Sequence, residues 1–364
     1  MYMYKTAIKI LKQINSCGFK SYIVGGYPRD LYLNRSSIDI DICTNATPKE
    51  LKNIFKDSIL PRQEYGGITV LSNNIRFEIT TFRKEIKYEN NRFPVKIKYI
   101  DNLIDDLERR DFTINTLCID ELGNQIDLLN AQKDIDDKII KCVGNPQQKI
   151  KEDILRSLRA IRFATILDFK LDDKLKKAIR KNAHLLKKLS YYRKKEELEK
   201  IFSSSNCKYG LSLIKELGLV KFLELSNFDN LVITSSPMGI WAQLDVLDIY
   251  SFSHHEKEMI SNIKEVLNAD LLDNKILYKY GLYTCTIAGE IKNIDRAIIV
   301  SKYNNLKIFS KKDINITASE ICDILNKEKG PFLKDIYTDL ENKILSDKFD
   351  NEKEKIKDYL ITNF

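Results

Sequence analysis

A glycine turn followed closely by a pair of aspartates constrains this chain more than any other feature. Residues 22–44 read YIVGGYPRDLYLNRSSIDIDICT. This is an apolar strand, Gly25-Gly26, a helix beginning near Pro28, a loop, and a second strand carrying Asp39 and Asp41. In an extended strand, side chains at i and i+2 share a face. Asp39 and Asp41 therefore project together, and Ile38, Ile40 and Ile42 are expected to point the other way into apolar packing. Two adjacent carboxylates repel each other unless a cation lies between them. Mg²⁺, a hard ion that takes carboxylate and phosphate oxygens, is the economical choice. Gly25-Gly26 lets backbone approach a ligand closely, and the helix start behind it turns N–H groups toward an anion. A phosphate cradle beside a metal-binding carboxylate pair points to phosphoryl or nucleotidyl transfer.

The chain has 364 residues, enough for more than one domain, with 43% hydrophobic and 31% charged residues, as in soluble globular proteins. No apolar run approaches the ~18–20 residues of a membrane span. The N-terminal MYMYKTAIKILKQI reads as an amphipathic helix, not a signal peptide. Seven scattered cysteines with no C-x-x-C pair indicate neither a zinc site nor a disulfide framework, so buried thiols in a cytoplasmic protein are expected. Net charge is +8, which favours a polyanionic partner.

Further along, residues 67–82 alternate apolar and polar positions with a turn at Asn73-Asn74. This predicts a hairpin with Phe77 and Ile79 on one face and Glu78 on the other. Glu78 is either a third carboxylate near the metal or a surface partner of Arg76. The stretch 83–97, RKEIKYENNRFPVKI, is polar and turn-rich. In LERRDFTINTL (107–117), Arg110 has the chemistry to hold triphosphate oxygens, as Arg29 has upstream, and Asp111 can accept from a ribose hydroxyl. In KEDILRSLRAIRFATILDF (151–169), Asp153, Arg156, Arg159 and Arg162 recur at i, i+3, i+6 and i+9. On a helix this is one polar stripe opposite Ile154, Leu155, Leu158 and Ile161. Asp134, Asp136 and Asp137 read as a solvated face, His254-His255 as exposed helix residues, and Trp241 as core.

GGYPRD followed by DID, RRDFT with its following Asn, and Glu-Asp-x-x-Arg at 152–156 together resemble the class II tRNA nucleotidyltransferases (CCA-adding enzymes). These and their bacterial poly(A) polymerase relatives lie within the polymerase-β nucleotidyltransferase superfamily. The likeness extends to about Ser226, with Ala131 where glycine is usual and Tyr192 where glutamate is usual. It implies an α+β protein with a polymerase-β-like nucleotidyltransferase head and a small mixed sheet (1–141). An all-helical neck (142–203), body (204–280) and tail (281–364) follow. It implies that Asp39 and Asp41 bind two Mg²⁺ and that Gly25, Gly26, Arg29 and Arg110 position the triphosphate. Asp111 meets the ribose, Asp153 and Arg156 read the Watson–Crick edge of C or A, and Arg159 and Arg162 support the nucleotide. The implied activity is addition of C, C and A to a tRNA 3′ end from CTP and ATP, without a nucleic-acid template. The basic helical region would grip the tRNA. Residues 83–97 occupy the place of the family's flexible loop, associated with adding the terminal A, with Phe93-Pro94 and Glu85 departing from its pattern. The alternatives are a poly(A) polymerase, an enzyme adding only CC or only A, and a non-catalytic tRNA-binding protein. The poly(A) branch usually carries an extra basic run after the metal motif, which 60–70 (LPRQEYGGITV) lacks.

Overall fold

In the computed structural model, residues 2–56, 59–62, 66–89 and 93–364 are described, except for the side chains at 59–62, 85–89 and 93–96. The chain forms two compact units, Met1–Glu224 and Leu225–Phe364.

The first unit is built on a mixed sheet of seven strands. They are β1 (Ser21–Val24), β2 (Asp41–Thr44), β3 (Ile59–Arg62), β4 (Gly67–Ser72), β5 (Ile75–Thr81) and, after a separate hairpin of β6 (Arg83–Glu89) and β7 (Phe93–Tyr99), β8 (Cys118–Ile119) and β9 (Gln125–Ile126). The order is β3-β4-β5-β2-β1-β8-β9. Strands β2 and β5 run parallel, and the other pairs are antiparallel. The β4–β5 turn falls at Asn73 and Asn74, both at positive φ, as a tight hairpin turn requires. One face of the sheet is closed by α1 (Tyr2–Ser16), whose Ala7, Ile10, Leu11 and Ile14 meet Ile23, Ile40, Ile42, Phe77 and Ile79. On the other face Val24, Cys43 and Cys118 pack with Leu103 and Leu107. Alternation along β2 therefore sends Ile42 to the α1 side and leaves Asp41 with Cys43 on the opposite side.

Short helices line the sheet: α2 (Gly26–Tyr32), α3 (Pro48–Ile54), α4 (Leu103–Glu108) and α5 (Ala131–Asp136). A capping box between Thr47 and Glu50 starts α3, as the Thr-Pro signature predicts. Beyond the head come α6 (Pro146–Glu152), α7 (Leu155–Leu167), α8 (Asp173–Asn182), α9 (Tyr191–Phe202), α10 (Cys207–Glu216) and α11 (Val220–Leu223). A two-residue parallel ladder, β10 (Ile139–Ile140) with β11 (Lys170–Leu171), joins the end of the head to the segment after α7.

Several expectations are corrected. Ile38 is 93% exposed rather than packed, because β2 begins only at Asp41 and residues 35–40 are irregular. Residues 83–89 and 93–97 pair as strands β6 and β7 rather than forming a turn-rich loop; residues 63–65 and 90–92 of the expected loops lie outside the described set. Asp134 is buried and accepts from the Thr113 hydroxyl at 2.6 Å, whereas Asp136 and Asp137 are exposed. Asp153 does not lie on a helix with the arginines. It has extended φ/ψ of −141°/103° between α6 and α7.

In the second unit, helices span Pro237–Gln243, His254–Leu267, Asn274–Lys292, Arg296–Asn304, Ala318–Leu325, Phe332–Leu345 and Lys353–Asn363. Its core is mostly Ile and Leu. Trp241 is fully buried against Tyr250 and Phe252, and His254 and His255 are exposed at a helix start capped by Ser253. Among the described residues no helix is long and apolar enough to cross a membrane.

Candidate active site

The glycine turn meets Asp41, whereas Asp39 precedes the strand and lies in irregular chain, not on the strand face that the i, i+2 spacing predicts. Gly25 has φ 86° and ψ −133° and precedes α2. A Cβ placed on it would lie 3.0 Å from Asp41 Oδ2. Only glycine gives both the backbone conformation and the room for that carboxylate. Asp41 starts the central strand and is half-buried, Asp39 just before it is exposed, and Glu78 is the cross-strand partner of Asp41 on β5. Burial, then the charge of Asp39 and more weakly that of Glu78, push the Asp41 carboxyl up to about 6, with Arg110 and Arg159 opposing. These groups thus act on one another through a shared field. Among the described residues, no set of three or more His, Cys, Asp or Glu could hold a metal unaided. An ion here would need oxygens from substrate or water, the usual situation for Mg²⁺.

Arg110 follows α4. Its Nη2 reaches Asp106 at 3.4 Å, while its buried Nε has no hydrogen-bond partner. Nearby, the chain assembles a continuous polar array. Arg29, 7% exposed, gives Nε and Nη2 to Asp30 Oδ1 at 2.9 and 2.7 Å and Nη1 to Asn115 Oδ1 at 2.7 Å. Asn115 Nδ2 donates to Asp111 Oδ1 at 3.1 Å, and the Phe112 N–H donates to the same oxygen at 2.8 Å. Asp111 Oδ2 accepts from Arg159 Nε at 2.8 Å and lies 2.6 Å from Arg159 Nη2 as an ion pair. Burial would raise the Asp111 carboxyl, but the charge and hydrogen bonds of Arg159 outweigh it and hold the group well below the usual carboxylate range. Arg162, also buried, pairs through Nη1 with Glu197 Oε1 of α9 at 3.0 Å. Arg29, Asp111, Arg159 and Arg162 are therefore brought together.

The segment carrying Asp153 and Arg156 is held differently. Asp153 Oδ1 accepts from the Leu155 N–H at 3.0 Å, at the start of α7. Arg156 is buried; its Nη1 donates to the Lys149 carbonyl at 3.0 Å and its Nη2 to the Arg109 carbonyl at 3.1 Å. The stripe is thus not a solvated face: Arg156 and Arg162 are largely buried and Arg159 is partly so. A cavity of about 530 Å³ opens beside Arg109, Lys149 and Glu152, and none of the expected nucleotide ligands lines it.

Sequence reasoning missed Asn115, Glu197 and Phe163. Asn115 was visible as the polar residue after RRDFT. Nothing in the sequence singles out Phe163, yet the guanidinium carbons of Arg29, Arg159 and Arg162 lie 5.3, 5.5 and 4.3 Å from its ring centroid.

Three family models match the chain. "Poly A polymerase head domain" covers residues 21–141, "Probable RNA and SrmB- binding site of polymerase A" covers 168–228, and "tRNA nucleotidyltransferase domain 2 putative" covers 242–360. The CCA-adding enzyme of Streptococcus uberis is 30% identical, over 94% of this chain and 92% of that protein. That of Ligilactobacillus salivarius is 33% identical, over 96% and 94%. The crystal structure of the Bacillus stearothermophilus CCA-adding enzyme in complex with CTP has 26% sequence identity and a TM-score of 0.85, covering 99% of this chain and 97% of that one. The likeness therefore does not fade at Ser226 but runs through the second unit.

Proposed function

We infer the reaction from one premise: the chain belongs to the family of CCA-adding enzymes. It is a tRNA nucleotidyltransferase that adds C, C and A to the tRNA 3′ end from CTP and ATP, without a nucleic-acid template, and releases pyrophosphate. The observation on the molecule that carries this reading is the convergence of Asp41 with arginines from α2, from the turn after α4 and from α7 within one compact unit.

Divalent-metal dependence follows from the family, and we assign the metal as Mg²⁺. Asp39 and Asp41 fit it. They are two carboxylates whose mutual charge already burdens Asp41, at the start of the central strand, where phosphate oxygens can complete the shell. When bound, such ions polarise the 3′-hydroxyl and the α-phosphate and offset the charge of the departing pyrophosphate. Gly25 and Gly26 keep backbone close to the nucleotide without a side chain in the way. The orphaned Nε of Arg110 is a ready donor for a triphosphate oxygen, and Arg29, Arg159 and Arg162 supply further positive charge. Asp111 already accepts three hydrogen bonds, from Phe112, Asn115 and Arg159, and its remaining acceptor site faces Arg159 Nη2 at 2.6 Å. Reading a ribose hydroxyl therefore requires Arg159 to turn one nitrogen toward phosphate. Arg156 likewise has to exchange a carbonyl for the acceptors of C or A, with Asp153 taking the exocyclic amine. A site built on such exchanges rejects U and G because its own buried groups would be left unpaired.

We further propose the functional division into head (1–141), neck (142–203), body (204–280) and tail (281–364), with the basic helical parts holding tRNA through its phosphates. We also propose a reducing, cytoplasmic setting, which suits seven free thiols. The deciding assay uses tRNA ending before CCA, with CTP and ATP supplied singly and together, and sizes the products. Arrest at CCA supports this reading. A long A tail indicates a poly(A) polymerase, CC alone or A alone a partial enzyme, and no extension a binding protein.

A further inference from the structure

Phe163 is the only ring that three arginines of the site share among the described residues. It is held at a fixed angle by Phe112, which is fully buried and packs against it edge-on, with centroids 5.8 Å apart at 79°, a favoured aromatic geometry. Phe112 directly follows Asp111, so the ring is tied to the same turn that holds Arg159. All three guanidiniums lie within the ~6 Å at which a cation is attracted by a ring's electron-rich face.

Each of these arginines also has its own carboxylate: Asp30 for Arg29, Asp111 for Arg159 and Glu197 for Arg162. The carboxylates sit on three different elements and so fix the outer ends of the array. Only the ring touches all three arginines and fixes their spacing to one another. Three like charges brought this close favour a polyanion, and a rigid aromatic centre keeps them from spreading apart when none is bound. An aliphatic side chain could fill the same volume but has no quadrupole to hold a cation.

We propose that Phe163 is a positioning residue for the triphosphate, its ring setting the spacing of the Arg29, Arg159 and Arg162 guanidiniums that receive it. The proposal rests on the nucleotidyl-transfer reading above and deepens it. It makes no contact with the base, so its effect is the same for CTP and ATP.

The test uses the full chain with Phe163→Leu and Phe163→Tyr. It measures KM and kcat for CTP and ATP on tRNA lacking CCA, inhibition by inorganic tripolyphosphate, and thermal melting. Phe163→Leu is expected to raise both KM values and the tripolyphosphate inhibition constant together, about tenfold, with kcat within about twofold. Phe163→Tyr, which keeps the ring, restores all three constants. If Phe163→Leu melts early, Phe163→Met replaces it, and the ratio of its constants to those of Phe163→Tyr decides. Unchanged constants in the Leu or Met variant overturn the inference. So does a change in KM for one nucleotide only, or one that leaves tripolyphosphate inhibition untouched. A wild-type chain that adds neither C nor A would instead overturn the underlying reading, which keeps the two failures separate.

Discussion

Adding one methyl group at Gly25 probes the geometry of the site directly. The residue has φ 86° and ψ −133°, a region that residues with a side chain enter at a cost of about 1–3 kcal/mol. The new Cβ would also stand 3.0 Å from Asp41 Oδ2, a few tenths of an ångström too close, adding about 1 kcal/mol through displacement of the carboxylate or the turn. The sum is about 2–4 kcal/mol, which for a unit of this size lowers the melting temperature by roughly 5–15 °C. Because the strain falls on Asp41, kcat should fall about 10- to 100-fold, as expected when a reacting group is misplaced. Gly26 supplies the contrast. A Cβ there meets nothing closer than Arg29 Nη2 at 3.5 Å, and Ala in the first turn of α2 should raise stability by about 0.5 kcal/mol. Melting curves and single-nucleotide incorporation on both variants decide the matter. A Gly25→Ala protein that melts and turns over like wild type would refute the reasoning. Lowered melting with unchanged turnover would refute the Asp41 contact alone.

Asp39→Ala should abolish incorporation of both nucleotides while leaving tRNA binding in a filter or gel assay nearly intact. Arg156→Ala should lower discrimination against UTP and GTP by roughly 10- to 100-fold, measured as the ratio of kcat/KM values, because a bidentate partner is lost. The Asp111 carboxyl is held below its ordinary value of 3.8. Its stabilisation is thus fully present above that value and is lost as pH falls through the folded-state value. The melting-temperature gap between wild type and Asp111→Asn should therefore hold constant above about pH 5 and narrow only as the pH falls below the ordinary carboxylate value. CTP binding, followed by calorimetry, should weaken at least tenfold when Mg²⁺ is replaced by EDTA, and an unchanged affinity would contradict assignment of Asp39 and Asp41 to the metal.

The elements that sequence made legible are those whose signal is local. Gly25 and the Asn73-Asn74 turn each depend on a few neighbouring residues, and each stands where its chemistry puts it. What was misread depends on partners far along the chain. The periodicity of the α7 arginine stripe does not reveal its partners: Asp111 and Glu197, 48 and 35 residues away, draw Arg159 and Arg162 inward. Asp153 continues a perfect i, i+3 pattern, and its extended backbone, with its side chain on the Leu155 N–H, breaks the helix where the pattern is blind. Ile38 obeys strand alternation in a segment that is not yet strand. Phe163 carried no signal at all, since an aromatic at a helix position reads as core until the arginines around it are located.

The balance of charge explains why the metal pair and the arginine array belong to one site. Arg29, Arg156, Arg159 and Arg162 each have a carboxylate of their own, whereas Arg109 and Arg110 share Asp106. Arg110 keeps an unpartnered Nε, and its charge favours the ionised Asp41 carboxylate. Asp39, Asp41 and Glu78 together bring negative charge to the start of the strand. A triphosphate arriving alone would add to the excess and be repelled by the carboxylates beside which its α-phosphate must lie. The same triphosphate arriving with a divalent ion would correct the imbalance, and in the reading proposed above it would take Arg159 and Arg162 from their internal partners Asp111 and Glu197. Binding here is therefore an exchange of counterions, not the filling of a vacant basic pocket. That is why the arginines can be largely buried and fully paired in the free protein and still serve the nucleotide.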